Sequence, residues 1–227
     1  MKKQISLVIF FISPLFLLAQ FGNVGGNTGV NMSDYISYVG GSGPSATLKS
    51  AESYLFSSWE NYGSVYVGKK VFRINNINYD IKMGQFMTKT DKDSLFIYNK
   101  HSIDSIEVNG RRFKKYYDPS SENERVAFAE LLFSSNDMTI AKGYYISETA
   151  SSPNPMINRP TTSIKLKTSY YLVRDNALIP FGLNKRNILK ELKSSELQQK
   201  AKDFAKDNHL SFNTDSDVVQ ILKYTLN

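Results

Sequence analysis

The chain has 227 residues, 28 Lys and Arg against 21 Asp and Glu for a net charge of +7, no cysteine and two histidines. That composition excludes disulfides and thiolate chemistry, and His101 and His209 stand too far apart in the chain for any metal-ligand spacing, so neither a metal nor another cofactor is expected. The remaining apolar content is enough for one sizeable core that holds the fold alone.

Met1-Lys2-Lys3 is a short positive region, followed by an apolar run from Ile5 to Leu18 broken only by Ser6, Ser13 and Pro14. This predicts a signal peptide over residues 1–19 with cleavage near Ala19-Gln20, because the run is shorter than the roughly 20 apolar residues of a membrane span. The expected location is therefore the periplasm or cell surface, with no integral membrane segment after cleavage. Loss of Lys2 and Lys3 leaves 26 basic residues against 21 acidic ones, a net charge of +5. Export turns that excess away from nucleic acid and toward an envelope protein or anionic glycan as partner.

Residues 20–46 form a leader holding seven of the thirteen glycines and few apolar residues, too little to offset its ordering entropy. Within it Asp34 to Val39 can add to a sheet edge. The rest, 47–227, reads as a single β-rich domain. Leu48, Ala51, Leu55 and Trp59 recur at helical spacing and favour a helix to about Trp59, ended near Gly63, against a lead-in strand over Tyr54-Leu55-Phe56, with Trp59 as a core anchor.

Strands follow. Val65–Val67 and Val71–Arg73 flank a short loop led by Gly68, and Ile77, Tyr79, Ile81 and Met83 alternate with polar residues in a half-buried strand. Gln85–Lys89 and Ser94–Tyr98 are the next two. Ile103–Val108 and Arg111–Tyr117 flank Asn109-Gly110, the signature of a type I′ turn, which sets Ile106 opposite Phe113 and Glu107 opposite Arg112. Ser121 and Glu124 resemble a capping box for a helix over Arg125–Phe133, but the neighbouring strands favour a strand there. Met138, Ile140, Tyr144 and Ile146 alternate, interrupted by Lys142. Ser147–Thr162, with Pro153, Pro155 and Pro160, reads as a long structureless insertion. Ile164 to Leu172 and Ala177–Phe181 are strands about an Asp175-Asn176 turn.

From residue 183 the period changes to that of helices, with Asn184, Ser195 and Thr214 as N-caps of three short amphipathic segments. The expected fold class is α+β: a mainly antiparallel β-sheet, as a meander, partly open barrel or sandwich, with three short C-terminal helices over 183–227. The signal ending in Ala19-Gln20, the Tyr54-Leu55 and Gly63-Ser64-Val65 entry to the strands, and the closing helix carrying Tyr224 together resemble uncharacterised exported proteins of Bacteroidetes, over Ala51 to Asn227. The resemblance implies an envelope location in a bacterium with two membranes, and no activity.

No catalytic motif stands out. Asp91-Lys92-Asp93 and Asp215-Ser216-Asp217 lack the glycine and distal glutamate of a calcium loop, and Gly40-Gly41-Ser42-Gly43 fits neither a nucleophile elbow nor a phosphate loop. Asp80, Glu107 and Glu130 are the carboxylates that folding could bring together. The strongest constellation is three tyrosine pairs, 116–117, 144–145 and 170–171, each on an expected strand. With Phe113, Ile140 and Leu166 taken as inward, Tyr116, Tyr145 and Tyr171 point outward with Arg112, Lys114, Lys165 and Lys167. These seven form the candidate binding face, suited to sugar rings or an acidic partner. The expected function is an exported, non-catalytic binding or structural component of the cell envelope. The alternative is a periplasmic hydrolase or a carrier of a small ligand or lipid, with a cavity between sheet and helices.

Overall fold

The computed structural model describes residues 36–39, 53–89, 95–120, 126–150 and 162–226. The expected signal peptide, most of the leader and residues 151–161 of the proline-rich insertion lie outside them. Eight strands form one sheet: β2 (Tyr62–Val67), β3 (Lys70–Asn75), β7 (Ser105–Val108), β8 (Arg111–Tyr117), β9 (Val126–Ser134), β10 (Thr139–Ala150), β11 (Thr162–Arg174) and β12 (Ala177–Phe181). Their order is β12-β11-β10-β9-β8-β7-β2-β3. Four more, β1 (Ile36–Val39), β4 (Ile77–Asp80), β5 (Gln85–Lys89) and β6 (Leu95–Tyr98), make a small antiparallel sheet in the order β1-β6-β5-β4. The fold is thus mainly antiparallel β, with strand rather than helix over 126–134 and with 36–39 added to a sheet edge.

Turn chemistry sets the register. Asn109 and Gly110 both have positive φ, 51° and 77°, and the hairpin pairs Ile106 with Phe113 and Glu107 with Arg112. Asp175 and Asn176 make the corresponding turn between β11 and β12, at φ 51° and 61°.

Strands β8 to β12 are a meander that curls until β12 meets β8. Five strands in an antiparallel meander return to the first strand in the same direction, so closure of an odd-numbered ring requires one parallel pair. That pair is present: Ala177 stands beside Tyr117 in parallel, and the Tyr117 N–H donates to the Asn176 carbonyl at 2.8 Å. A single parallel bridge makes this a partly open barrel, with β7, β2 and β3 running on from β8 as an extension of the sheet.

Closure creates two cores on the outside of the barrel wall and one within it. Phe113 and Phe128 meet Tyr79 and Phe86 of the small sheet and Ile106 of β7. Phe133, Ile140 and Leu172 are covered by α1 (Lys185–Glu191), α2 (Ser195–Asp207) and α3 (Asp215–Leu226) through Ile188, Ala201, Ala205, Ile221 and Leu222. Asn184 caps α1 as expected, accepting from the Asn187 N–H. The cap of α2 is Ser194, not Ser195; its hydroxyl accepts from the Leu197 N–H at 3.1 Å. Asp217 does not complete a capping box; its carboxylate accepts from the Ser211 N–H at 2.9 Å.

Two further readings of the sequence are corrected. Residues 53–61 are not helical, because Asn78 takes over the backbone bonding of that segment: its side chain accepts from the Phe56 N–H and donates to the carbonyls of Phe56 and Ser58. The Leu55 N–H then donates to the Tyr79 carbonyl, so the chain runs beside β4 rather than coiling. Trp59 is half-buried, edge-on to Tyr54 at 5.0 Å between ring centres. The strand expected through Met83 stops at Asp80, whose carboxylate accepts from the Met83 N–H at 2.9 Å and closes a turn.

Candidate functional site

The inner face of the barrel wall is built from small side chains facing large ones. Ala127 and Ala129 on β9, and Ala141 and Gly143 on β10, leave the space that Tyr116 of β8, Tyr171 of β11 and Leu178 of β12 occupy. Gly143 is a close approach: a Cβ there would lie 2.9 Å from Cε2 of Tyr171. The ring therefore lies directly against the β10 backbone.

At one end this interior opens into a cleft of about 310 Å³. Its walls include Gly143, Tyr145 and Tyr171 from the barrel, and Lys82, Lys100 and Asp118 from neighbouring turns. Tyr145 is 44 % exposed and stands directly opposite Lys167 on β11; Ser147 stands opposite Lys165 two residues further along the same face. Lys165 and Lys167 are exposed. The Lys82 ammonium is held by Glu148 of β10 at 2.9 Å. Burial pushes the Tyr171 hydroxyl above its ordinary pKa; a hydrogen bond with Ser169 opposes this, and the Asp118 carboxylate and Tyr145 add to it. The phenol thus stays protonated, a neutral donor at the back of a cleft rimmed by cations.

The seven residues of the expected binding face separate into three groups. Tyr145, Lys165 and Lys167 share an exposed face, and Tyr171 joins them at the cleft. Tyr116 does not: it is 4 % exposed inside the barrel, its hydroxyl has no hydrogen-bond partner among the described residues, and burial pushes its pKa up to about 12, with Arg112 opposing. Arg112 and Lys114 lie earlier on β8, beside the extension, Arg112 over the Tyr66 ring of β2 at 5.0 Å and Lys114 paired with Ser105 of β7. Parity along a single strand provides for one inside and one outside only. Barrel closure buries Phe113 and Tyr116 on opposite faces of β8, while Leu166, taken as inward, is 47 % exposed in the groove beside the start of α3. Replacing Tyr116 with Phe should leave thermal stability unchanged or raise it by about 1 kcal/mol, since it removes an unpaired buried hydroxyl; a loss above that size in a denaturation curve would mean that the hydroxyl is partnered.

A second group of chemistry-bearing residues occupies the outer face. Arg111 donates from Nε and Nη2 to the two oxygens of Glu130 at 3.0 and 2.8 Å, and the Tyr144 hydroxyl bridges both partners. Lys142 pairs with Asp215 of α3 at 2.5 Å and lies between the rings of Tyr144 and Tyr170. Every charge in this seam already has a partner of opposite sign, which makes the seam an anchor for α3, and it lines a groove of about 750 Å³ whose other walls include Leu132, Leu166 and Val219. Asp80, Glu107 and Glu130 do not converge: Asp80 closes its turn, Glu130 faces Arg111, and Glu107 points to the side of β7 opposite Ile106. Among the described residues no three His, Asp or Glu side chains are placed to hold a metal ion, and no helix is long and apolar enough to cross a membrane.

Lys82, Lys100, Asp118 and Gly143 were missed by sequence reasoning. The signal that could have found the cleft is the run of small residues at inward positions, Ala127, Ala129, Ala141 and Gly143, opposite two tyrosines. Compared with family models, curated proteins and solved structures, the chain matches none.

Proposed function

We propose that this protein is an exported, non-catalytic binding component of the cell envelope, holding its partner through Tyr145, Lys165 and Lys167 and the adjoining barrel mouth. One observation carries the reading: an exposed aromatic ring is set in register opposite a lysine, at the rim of a cleft. Tyrosine gives rigid apolar area with a polar tip, and the flanking cations select an anionic partner. The centre of the space between sheet and helices, where a carrier or hydrolase would enclose its cavity, is filled by Phe133, Ile140, Leu172, Ile188, Ile221 and Leu222, and what remains at the start of α3 is a surface groove of about 750 Å³ rather than an enclosed chamber. That packing supports a surface site over an internal one.

Exchanging Tyr145 for Ala with Lys165 and Lys167 for Gln should reduce retention on immobilised envelope extract at least tenfold. The melting temperature should move by less than a few degrees, because all three side chains are exposed. Undiminished retention by the folded triple variant would rule this face out. Export is tested separately, by fractionating cells that express the full chain and sequencing the N-terminus of the recovered protein.

A further inference from the structure

We propose that the barrel mouth takes one ring of an acidic, uronate-type polysaccharide, whose following units run along the Lys167–Lys165 row. The proposal rests on the binding role of this face and names its ligand. Three features select that chemistry. The cleft, at about 310 Å³, is at the small end of ligand sites and suits a single ring with its substituents. Its walls present tyrosine faces and phenols: Tyr145 at the rim offers a face on which the C–H side of a pyranose can lie, and Tyr171 is held at depth against Gly143.

The charges decide between anionic ligands. With Lys82 neutralised by Glu148 and Lys100 buried, the rim carries the exposed Lys165 and Lys167 against the carboxylate of Asp118. A compact phosphate group inside the cleft would be repelled by Asp118. A sugar instead donates hydroxyl protons to that carboxylate while its own carboxylate, at the ring edge, turns to a lysine. Lys165 and Lys167 project from the same face of β11 with one residue between them, about 7 Å apart along the strand. Such a row meets the carboxylates of successive sugars in an extended chain, and a free anionic monosaccharide would not use it.

The test is calorimetric titration of the full chain with oligogalacturonate and alginate oligomers, and with the methyl-esterified form of each, which keeps the rings but removes the charge. At least one acidic oligomer should bind, and its ester at least tenfold more weakly. Tyr145→Ala should weaken acid and ester alike, by tenfold or more, whereas K165Q/K167Q should weaken only the acid and flatten the salt dependence. Equal affinity for acid and ester would overturn the acidic-glycan assignment while leaving a glycan-binding face intact. Failure of every oligomer to bind, with Tyr145-dependent retention on envelope extract preserved, would overturn it in favour of a protein partner. Loss of both signals would sink the binding role as well.

Discussion

Replacing Phe113 with alanine should lower stability by about 4 kcal/mol, the upper range for removing a buried aromatic ring. Phe113 is fully buried where three elements meet. Its ring centre lies 5.1 Å from Phe86 in an edge-on pair, 6.1 Å from Tyr79 and 6.5 Å from Phe56. The hole would thus open between the small sheet and the barrel wall, bordered by stiff rings that cannot collapse into it. Urea denaturation is the measurement, with Tyr145→Ala as a control that should change stability by less than about 1 kcal/mol. A loss below about 1.5 kcal/mol for Phe113→Ala would mean that the small sheet does not share this core.

The position of Phe113 was legible in the sequence because Asn109-Gly110 fixes the hairpin register, and register decides which residue faces Ile106. The hairpins of β7 with β8 and of β11 with β12 were legible for the same reason, since Asn-Gly and Asp-Asn are local signals with one backbone solution, whereas β9 rested on its neighbours and β10 on alternation. Two of the failures are non-local. The helix expected before Gly63 rested on spacing alone and lost to Asn78, twenty-two residues from Phe56 in the chain, whose amide supplies the bonds that a helix would have made internally. The outward placement of Tyr116 lost to the Ala177–Tyr117 bridge, which joins strands sixty residues apart and turns an open face into an interior. Lys142 shows the converse. In the sequence it only interrupts an alternating strand; in the fold it is the charge that Asp215 at the start of α3 requires. Strand parity is readable from one element at a time, while the number of covered faces depends on how the strands close.

Replacing Arg111 with methionine should cost about 3 kcal/mol, at the low end for breaking a buried ion pair because the Arg111 side chain keeps 33 % of its exposure. The loss comes from what is left behind. The Glu130 side chain is only 11 % exposed and would retain a single partner, the Tyr144 hydroxyl. Arg111 also lies over the rings of Phe56 and Phe113 at 5.1 and 5.5 Å, contacts that methionine replaces in part. Changing Glu130 to methionine as well should recover most of the loss, since removing both charges also removes the desolvation cost of each. A double-mutant cycle in urea should therefore give a coupling energy of about 2 kcal/mol, and additive effects of the two substitutions would contradict the pairing. The same variants separate scaffold from site. Tyr144 and Lys142 belong to the outer face of β10, and Gly143 between them faces the cleft, so the network holds the strand from behind. In the folded fraction of Arg111→Met, ligand affinity should fall less than threefold, against tenfold or more for Tyr145→Ala. A tenfold loss in Arg111→Met would show that the ion pairs of the outer face set the geometry of the cleft itself.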